Sequence, residues 1–395
     1  MVARSGRVLG GGFAVSLAAA LVVGGPIGIE ASAPPGAKPV EIDVDGRMFS
    51  VSPDGQLLAV GRDGVRDLCV VELATQRDVG CVDLEERQIQ LDHNSIAWSS
   101  DSARLAFAVT ALQTLRDGDL WLMNARGGQL TNVTDDGFEG ELPVMNDEEQ
   151  GDDPIYVDVL PVWAPDGRTI TFSRSAVVAG EFGGNVVASV DVASGVVETL
   201  VDVSDEPGVV YWGAAWSPDG GRFFYSFGHP DVDDTDNGVW AYDVATATAR
   251  LLVPSDQEKG PPSIVNVSST GSFGLVRFGR FEAIAGNALE ALAVADMDTG
   301  ALQPVAPAGE GDGGPHFLAG AAFAPGDDRL LYGLNDPDQS RYFVRDLATG
   351  GAPTPVDGLE EGPFRLTYSG GLSWASDGRV FVPVELDRAV LVPVD

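Results

Sequence analysis

The sequence predicts an all-β chain, and three observations lead to this prediction. The 395 residues include 50 glycines and 25 prolines, a density of turn formers expected where many short strands are joined by tight turns. A short motif of the Ser-Pro-Asp-Gly type recurs along the chain, and an alternating apolar run follows each copy. Hydrophobic residues make up 44% of the chain, enough for a large core, so a disordered chain is excluded.

The repeated motif consists of an apolar or aromatic residue, a short turn and a strand. Pro presets the backbone, Asp caps its own turn and Gly accepts a positive φ, so the motif predicts a hairpin. The seven copies, of which the last two named are degenerate, are Ser50–Val60, Ala97–Val109, Val162–Ser173, Ala215–Phe227, Ser373–Val384, Asn266–Phe278 and Ala322–Leu334. A second hairpin follows in most units. Four strands in a repeat of about 54 residues are typical of a β-propeller blade, so the sequence predicts seven antiparallel blades.

The ends of the chain suggest how the ring closes. Blade seven offers strands near Gly371–Ala375, Arg379–Val384 and Ala389–Val394, one fewer than a blade needs. Residues Pro39–Val44 precede the first motif copy, and we expect them to complete blade seven as its outermost strand, which removes an open sheet edge. The alternative is a loose tail.

The N-terminal segment resembles an export signal. Arg4 and Arg7 precede an apolar stretch, Val8–Ile29, and the small residues Ala31–Ala33 follow. The alternative is an uncleaved anchor, because this stretch is just long enough to span a bilayer. The predicted organisation is a signal peptide at 1–33, a short linker at 34–38 and the propeller at 39–395. We therefore expect an extracytoplasmic protein that is secreted, periplasmic or at the cell surface.

The two cysteines lie in one predicted hairpin. A turn centred on Thr75 pairs Leu73 with Arg77, Val71 with Val79, and Cys69 with Cys81. Facing cysteines in a non-hydrogen-bonded pair are close enough for a disulfide, which suits an exported chain. The alternative is two free buried thiols.

Units such as Trp216–Gly220 resemble the WD-like repeat of TolB and of the propeller domains of prolyl-oligopeptidase-type enzymes. The similarity covers residues 39–395 and implies a propeller fold. Members of these families include binding scaffolds, periplasmic assembly factors and enzyme lids, so the resemblance does not select a function. The repeated tryptophans Trp98, Trp163, Trp216 and Trp374 are expected to pack between blades.

Strand order in a propeller assigns the connections to two faces. The turns within hairpins are short, whereas the other connections are predicted to be long and to form the binding face. The predicted long segments are Thr110–Asp119, Asp135–Leu160, Ser175–Gly184, Gly228–Gly238, Pro254–Ser263 and Ala306–Gly320.

Polar and aromatic residues that precede the inner strands are candidates for a ligand site at the channel mouth. They are Asp92, His93, Asp158, Tyr211, Trp212, His316 and Tyr368. Such a mixture suits a concave site for a peptide, a glycan or a small ligand. The alternative is that these side chains pack between blades. The three histidines show no spacing typical of a metal site.

A calcium site is a separate hypothesis. Asp231, Asp233, Asp234 and Asp236 alternate hard oxygen ligands before a turn glycine. A bidentate Glu is missing, since Tyr242 stands at the twelfth position. The alternative is a solvated acidic loop, in which case the chain needs no cofactor.

The net charge and the motifs that the sequence lacks disfavour several classes of function. With 24 Lys and Arg against 59 Asp and Glu, the net charge is −35, which disfavours binding to nucleic acid or to an anionic membrane. The sequence contains neither a Gly-x-Ser-x-Gly nucleophile motif nor a phosphate-binding loop. The preferred hypothesis is an exported, monomeric, non-enzymatic scaffold that binds a protein, peptide or glycan through its long loops. The alternatives are a lyase or hydrolase with a site at the channel mouth, and calcium-dependent surface adhesion.

Overall fold

The repeated motif forms the hairpin turn that the sequence predicts. In the computed structural model the Ser217 hydroxyl donates to Asp219 at 2.6 Å and accepts the Arg222 N–H at 2.9 Å. Gly220 has a φ of 70°, the left-handed conformation that favours glycine. Ser52 and Ser99 close the turns of two other copies in the same way. The turn therefore has the same geometry in these three copies, because the Ser and Asp side chains form hydrogen bonds within their own turn.

The structure describes residues 40–43, 46–62, 66–87, 89–91, 95–109, 118–138, 142, 153–178, 181–202, 214–228, 236–256, 260–278, 291–306, 317–324, 329–335, 340–347, 349–356, 372–374, 379–383 and 388–393. These residues form 28 strands in seven sheets of four, with one 3₁₀ turn at Glu85–Arg87. The predicted signal peptide and linker lie outside the described residues. Among the described residues, no helix has the length and apolar character needed to cross a membrane.

Each sheet is one blade, with its strands in chain order from the inner to the outer edge. Blade 1 contains β2 (Arg47–Val51), β3 (Leu57–Arg62), β4 (Asp67–Glu72) and β5 (Arg77–Asp83). Blade 2 contains β6 (Ala97–Trp98), β7 (Arg104–Ala108), β8 (Leu120–Asn124) and β9 (Leu130–Asn132). Blade 3 contains β10 (Ile155–Trp163), β11 (Thr169–Val178), β12 (Glu181–Asp191) and β13 (Val197–Asp202).

The remaining blades repeat this order. Blade 4 contains β14 (Ala214–Trp216), β15 (Arg222–Phe227), β16 (Gly238–Asp243) and β17 (Thr248–Pro254). Blade 5 contains β18 (Pro262–Val267), β19 (Phe273–Phe278), β20 (Ala291–Asp296) and β21 (Leu302–Ala306). Blade 6 contains β22 (Phe317–Phe323), β23 (Arg329–Asn335), β24 (Ser340–Asp346) and β25 (Thr354–Pro355).

Blade 7 joins the two ends of the chain, as predicted. Its inner strands are β26 (Ser373–Trp374), β27 (Arg379–Pro383) and β28 (Arg388–Pro393), and its outermost strand is the N-terminal β1 (Val40–Asp43). β1 pairs antiparallel with β28, with Ile42 opposite Ala389. The prediction of a closed, all-β, seven-bladed propeller is confirmed.

The core lies between neighbouring blades. Each of the seven blade interfaces has its own cluster of buried apolar side chains; Phe107 belongs to the cluster between blades 1 and 2, and Phe381 to that between blades 7 and 1. The repeated tryptophans pack at these interfaces, as expected. The Trp163 indole N–H donates to the Ala97 carbonyl of the preceding blade at 3.1 Å, and Trp98 reaches the Ser50 carbonyl in the same way at 3.0 Å.

The hairpin with the cysteines confirms the bridge and corrects the register. Cys69 and Cys81 are opposite one another and form a disulfide, with their Cα atoms 4.1 Å apart. Nearer the turn the predicted pairs are wrong, because Val71 faces Asp78 and not Val79. A β-bulge between Val70 and Val71 shifts the register by one residue, and it compensates for a turn longer than predicted.

Blade 3 also corrects the predicted loop boundaries. The segment Ser175–Gly184 is mostly strand, because β11 and β12 continue as a hairpin joined at residues 179–180. The end of the predicted loop Asp135–Leu160 belongs to β10, and residues 317–320 begin β22. The strand pairing continues through Gly183 and Gly184, because Val177 is fully buried against Ile155 and Val157.

Candidate functional site

The two faces of the propeller differ in the length of their connections. The turns inside the hairpins define the short-turn face, for example residues 217–221 and 244–247. The connections between blades and between the two middle strands define the long-loop face, and the longest of them are residues 133–154 and 356–372. On the short-turn face, turn carboxylates such as Asp296 accept backbone N–H groups of their own turn and so have a structural role.

The connections assigned to the two faces also differ in net charge. The connections of the long-loop face contain 35 of the 59 Asp and Glu but 6 of the 24 Lys and Arg, a net charge of −29. The turns of the short-turn face contain 8 acidic and 2 basic residues, a net charge of −6. By sequence position, most of the net charge of the chain therefore falls in the segments that connect the strands on the long-loop face.

The connection at residues 133–154 is the most acidic part of that face, since it contains nine Asp and Glu and no Lys or Arg. Its root is anchored on blade 3. The Asp136 carboxylate accepts the N–H groups of Tyr156 at 2.7 Å and of Phe138 at 2.9 Å. Further along, Leu142 is fully buried in a small apolar cluster with Ile155 and Val177. The extended hairpin of blade 3 is thus the surface against which this acidic connection packs.

A buried ion pair lies beneath this anchor. Asp158 of β10 stands opposite Arg174 of β11, and its two carboxylate oxygens accept the Nε and Nη2 groups of Arg174 at 2.7 Å each. Asp158 has no exposed surface. Burial raises the pKa of Asp158, and the two hydrogen bonds from Arg174 oppose that rise. Arg174 also lies over the Tyr156 ring, 4.4 Å from its centroid.

A second buried carboxylate, Asp119, belongs to blade 2. It precedes β8 and is 5% exposed. Its carboxylate accepts the Asn132 amide at 2.6 Å and lies 3.4 Å from the Thr134 hydroxyl. Burial raises the pKa of Asp119 to about 6, and the neighbouring Asp158 acts in the same direction. Next to it, the Asp158 N–H donates to the Gly118 carbonyl at 2.7 Å, which joins blade 2 to blade 3.

The predicted ligand residues are described only in part. Asp158 lies under the long-loop face, near the start of the inner strand of blade 3, as its sequence position suggests. Its role in ligand binding stays a prediction. The other six candidates lie outside the described residues: Asp92, His93, Tyr211, Trp212, His316 and Tyr368.

Sequence reasoning did not find Asp119 or Arg174. Counting from the turn of the Val162–Ser173 hairpin would have placed Ser175 opposite Asp158, but a bulge between Val159 and Val162 shifts the register by one residue and brings Arg174 there. Asp119 has no such signal, since its contact with blade 3 depends on the packing of two blades.

The calcium hypothesis stays a prediction. Asp231, Asp233 and Asp234 lie outside the described residues, and the Asp236 carbonyl accepts the Trp240 indole N–H at 2.8 Å. In the part of the chain that the structure describes, one group of possible metal ligands comes together, namely Cys69, Cys81 and Asp78. The two sulfurs are bonded to each other and offer no thiolate.

A small cavity lies between blades 3 and 4. Its lining is apolar and includes Leu160, Phe172 and Phe223. Its volume is ≈ 20 Å³, enough for about one water molecule and far below the size of a ligand pocket. We therefore place the candidate site on the long-loop face and not in this cavity.

Comparison with known proteins supports the fold. TolB from Acinetobacter baumannii is 14% identical with a TM-score of 0.45, and the match covers 89% of this chain and 65% of TolB. The Cps50 (Swd1) β-propeller domain of Myceliophteria thermophila is 11% identical with a TM-score of 0.55, covering 90% of this chain and 100% of that domain. A prolyl endopeptidase structure is 14% identical with a TM-score of 0.51, covering 80% of this chain and 42% of the peptidase.

The likeness is one of fold. The β-propeller fold that the sequence resemblance implies is confirmed, because the chain shares this fold with the Swd1 propeller domain and the prolyl endopeptidase at low sequence identity. The chain spans 65% of the length of TolB and less than half of the peptidase. No protein-family model matches the sequence, and no curated protein matches it either.

Proposed function

We propose that the chain is an exported, non-enzymatic binding scaffold that recognises a lysine- or arginine-rich segment of a partner protein through its long-loop face. The observation behind this proposal is the unequal charge of the two faces, −29 against −6. A strand of six residues is about 20 Å long, whereas charges are screened within about 8 Å at physiological salt. The two faces therefore act as separate electrostatic surfaces, and a basic partner is attracted to one of them.

The disulfide supports the export part of the proposal. Cys69 and Cys81 are bonded, and disulfides persist mainly in oxidising compartments outside the cytoplasm. A rigid propeller with long connections on one face is also a common platform for recognition.

The buried ion pair supports the shape of the proposed binding face. Asp158 is fully buried, and both of its oxygens accept hydrogen bonds from Arg174, so this carboxylate is not placed to contact a substrate. Its suggested role is to hold blade 3 in shape beneath the acidic connection at residues 133–154.

The proposal is tested with defined peptides. A decalysine peptide is expected to bind the chain at 50 mM salt and to dissociate at 300 mM salt, whereas a decaglutamate peptide does not bind. Calorimetry or interferometry measures both. The variant Asp147→Asn, Glu148→Gln, Glu149→Gln is expected to weaken decalysine binding several-fold.

A matched variant separates local recognition from bulk charge. Glu41→Gln, Asp83→Asn and Glu198→Gln remove the same charge from exposed positions on outermost strands. This variant should bind decalysine like the wild type. Equal weakening by both variants would mean that only net charge matters and would overturn the proposal.

A further inference from the structure

We propose that Asp119 is a proton-operated latch between blades 2 and 3, which when protonated fastens residues 133–138, the described root of the acidic connection, and when ionised releases them. The inference goes beyond the proposed binding function, since it concerns how one side of the long-loop face is held. It rests on the geometry of the buried carboxylates at this junction.

In the part of the chain that the structure describes, two buried carboxylates, Asp119 and Asp158, lie at the junction with one guanidinium, Arg174. The Nε and Nη2 groups of Arg174 are both bonded to Asp158, at 2.7 Å. Among these described residues, Asp119 accepts the neutral Asn132 amide and lies 3.4 Å from the Thr134 hydroxyl. A buried carboxylate without a positive partner is costly in its ionised form, so Asp119 takes a proton readily.

Hydrogen-bond donors to Asp119 are few. The Thr134 oxygen accepts the Leu120 N–H at 2.9 Å, and its hydroxyl lies 3.4 Å from Asp119, at the long end for a hydrogen bond. In the described structure, ionised Asp119 therefore has one short hydrogen bond, from the Asn132 amide at 2.6 Å. A protonated Asp119 needs fewer donors, and its own proton can be donated to the remaining lone pair of the Thr134 oxygen. The hydrogen-bonding needs of the protonated junction are therefore better met than those of the ionised one.

Neighbouring residues link the junction to the acidic connection. Asn132 and Thr134 flank the start of residues 133–154, and Asp136 follows with its bond to the Tyr156 N–H. The charged groups that act on Asp119 in the described structure are Asp158 on β10 and Asp135 and Asp136 in the connection, and beyond Asp158 lie Arg174 on β11 and the Tyr156 ring beneath it. The three carboxylates all disfavour the ionised form, so ionised Asp119 is repelled by Asp158 of blade 3 and by the root alike.

The direction of the pH effect follows. Burial raises the pKa of Asp119 from 3.8 to about 6, so the closed junction binds a proton more tightly than an open one. Between pH 5 and pH 7.5 the ratio of closed to open junction is expected to fall about tenfold.

Hydrogen exchange on the full chain tests the latch. The amides of Asp158 and Tyr156 report on the junction and the root, because they donate to Gly118 and Asp136. After correction for intrinsic exchange, their protection should fall about tenfold from pH 5 to pH 7.5, and most of the fall should be complete just above pH 6. The Ser217 amide in blade 4 should show no such change. Flat protection from pH 5 to pH 7.5 in the wild type overturns the proposal without any variant.

Variants then assign the group. Asp119→Asn keeps the shape and a donor, and we expect it to be protected equally at both pH values. Glu198→Gln removes the same charge as Asp119→Asn, but from an exposed position in blade 3, and it should keep the pH response of the wild type. If Asp119→Asn retains the full response, another carboxylate titrates and the assignment to Asp119 is wrong.

Discussion

Asp158 and Arg174 face each other across β10 and β11, and two parallel hydrogen bonds of 2.7 Å join them in the buried part of blade 3. The Arg174 side chain is 13% exposed and Asp158 is not exposed at all. Each charge therefore depends on the other, since water does not solvate the carboxylate. The pair supports the strand that receives the acidic connection at residues 133–154.

Removing one partner should be worse than removing both. Arg174→Met leaves the Asp158 carboxylate buried and unpaired, and the free energy of unfolding is expected to fall by about 3–5 kcal/mol. The double variant Arg174→Met, Asp158→Leu should recover most of this loss, because no charge remains buried. Urea unfolding followed by tryptophan fluorescence measures both. A double variant as unstable as the single one would show that packing, not charge, is limiting.

The repeated tryptophans make a second prediction. Trp163 donates to Ala97 of blade 2, and Arg104 of that blade lies over its ring at 4.8 Å. Trp163→Phe removes the donor and weakens the stacking, so we expect a loss of about 1–2 kcal/mol. Trp240→Phe is the control, because its indole bonds to Asp236 within its own blade. It should cost less, and equal losses would contradict a special role for the inter-blade bond.

The repeat could be predicted from sequence because each turn depends on particular residues. Ser217, Asp219 and Gly220 satisfy one another within a few positions, so the same letters mark the same turn wherever they recur. The closing strand followed from counting the strands of blade 7.

The errors have a different origin. The bulge beside Val71 depends on how a hairpin twists, and no residue type marks it. The predicted loop Ser175–Gly184 is mostly strand because Val177 is buried against the neighbouring strand, a contact that the local sequence does not reveal. Within the site, Asp158 could be selected from the sequence, because its position is counted back from the repeat motif. Asp119 could not be selected in this way, because its environment arises only when blade 2 packs on blade 3.

Two turn glycines allow the cost of a positive φ to be compared with the cost of a steric clash. Gly220 and Gly300 have φ of 70° and 74°. A Cβ on Gly220 would lie 4.0 Å from its nearest neighbour, whereas one on Gly300 would lie 2.0 Å from the Leu252 carbonyl oxygen of blade 4. Gly220→Ala should therefore cost about 1 kcal/mol, from φ alone. Gly300→Ala should cost clearly more, and equal melting temperatures for the two variants would contradict the close approach of blades 4 and 5.

The disulfide should stabilise the first blade. Cys69 and Cys81 close a loop with a sequence separation of 12, for which a loss of about 3 kcal/mol is expected on removal. Intact-mass measurement with a thiol reagent should detect two reactive thiols only after reduction. The variant Cys69→Ser, Cys81→Ser should melt at the same temperature with and without reductant, while the wild type melts lower when reduced. Thiols that react before reduction would show that the bridge does not form.

The free energy of unfolding should decrease both at low pH and at higher pH. We call these two decreases the lower limb and the upper limb, and different carboxylates cause them. Hydrogen bonds from Ser217 and from the Gly221 amide lower the pKa of Asp219, and those from Ser99 and the Ala103 amide lower the pKa of Asp101. Groups with a lowered pKa stabilise the fold above their unfolded pKa, and this stability is lost as the pH falls below about 4.

Asp119 acts in the other direction. Its pKa is raised to about 6, so its contribution is fully present below pH 3.8 and is lost as the pH rises to 6, a change of about 3 kcal/mol. Because the turn carboxylates weaken below about pH 4 and Asp119 weakens above it, stability should be greatest between the two limbs. Urea unfolding from pH 3 to pH 8 measures both. Asp119→Asn should flatten only the upper limb and Asp219→Asn only part of the lower one. An Asp119→Asn profile identical to that of the wild type would remove Asp119 as the origin of the upper limb.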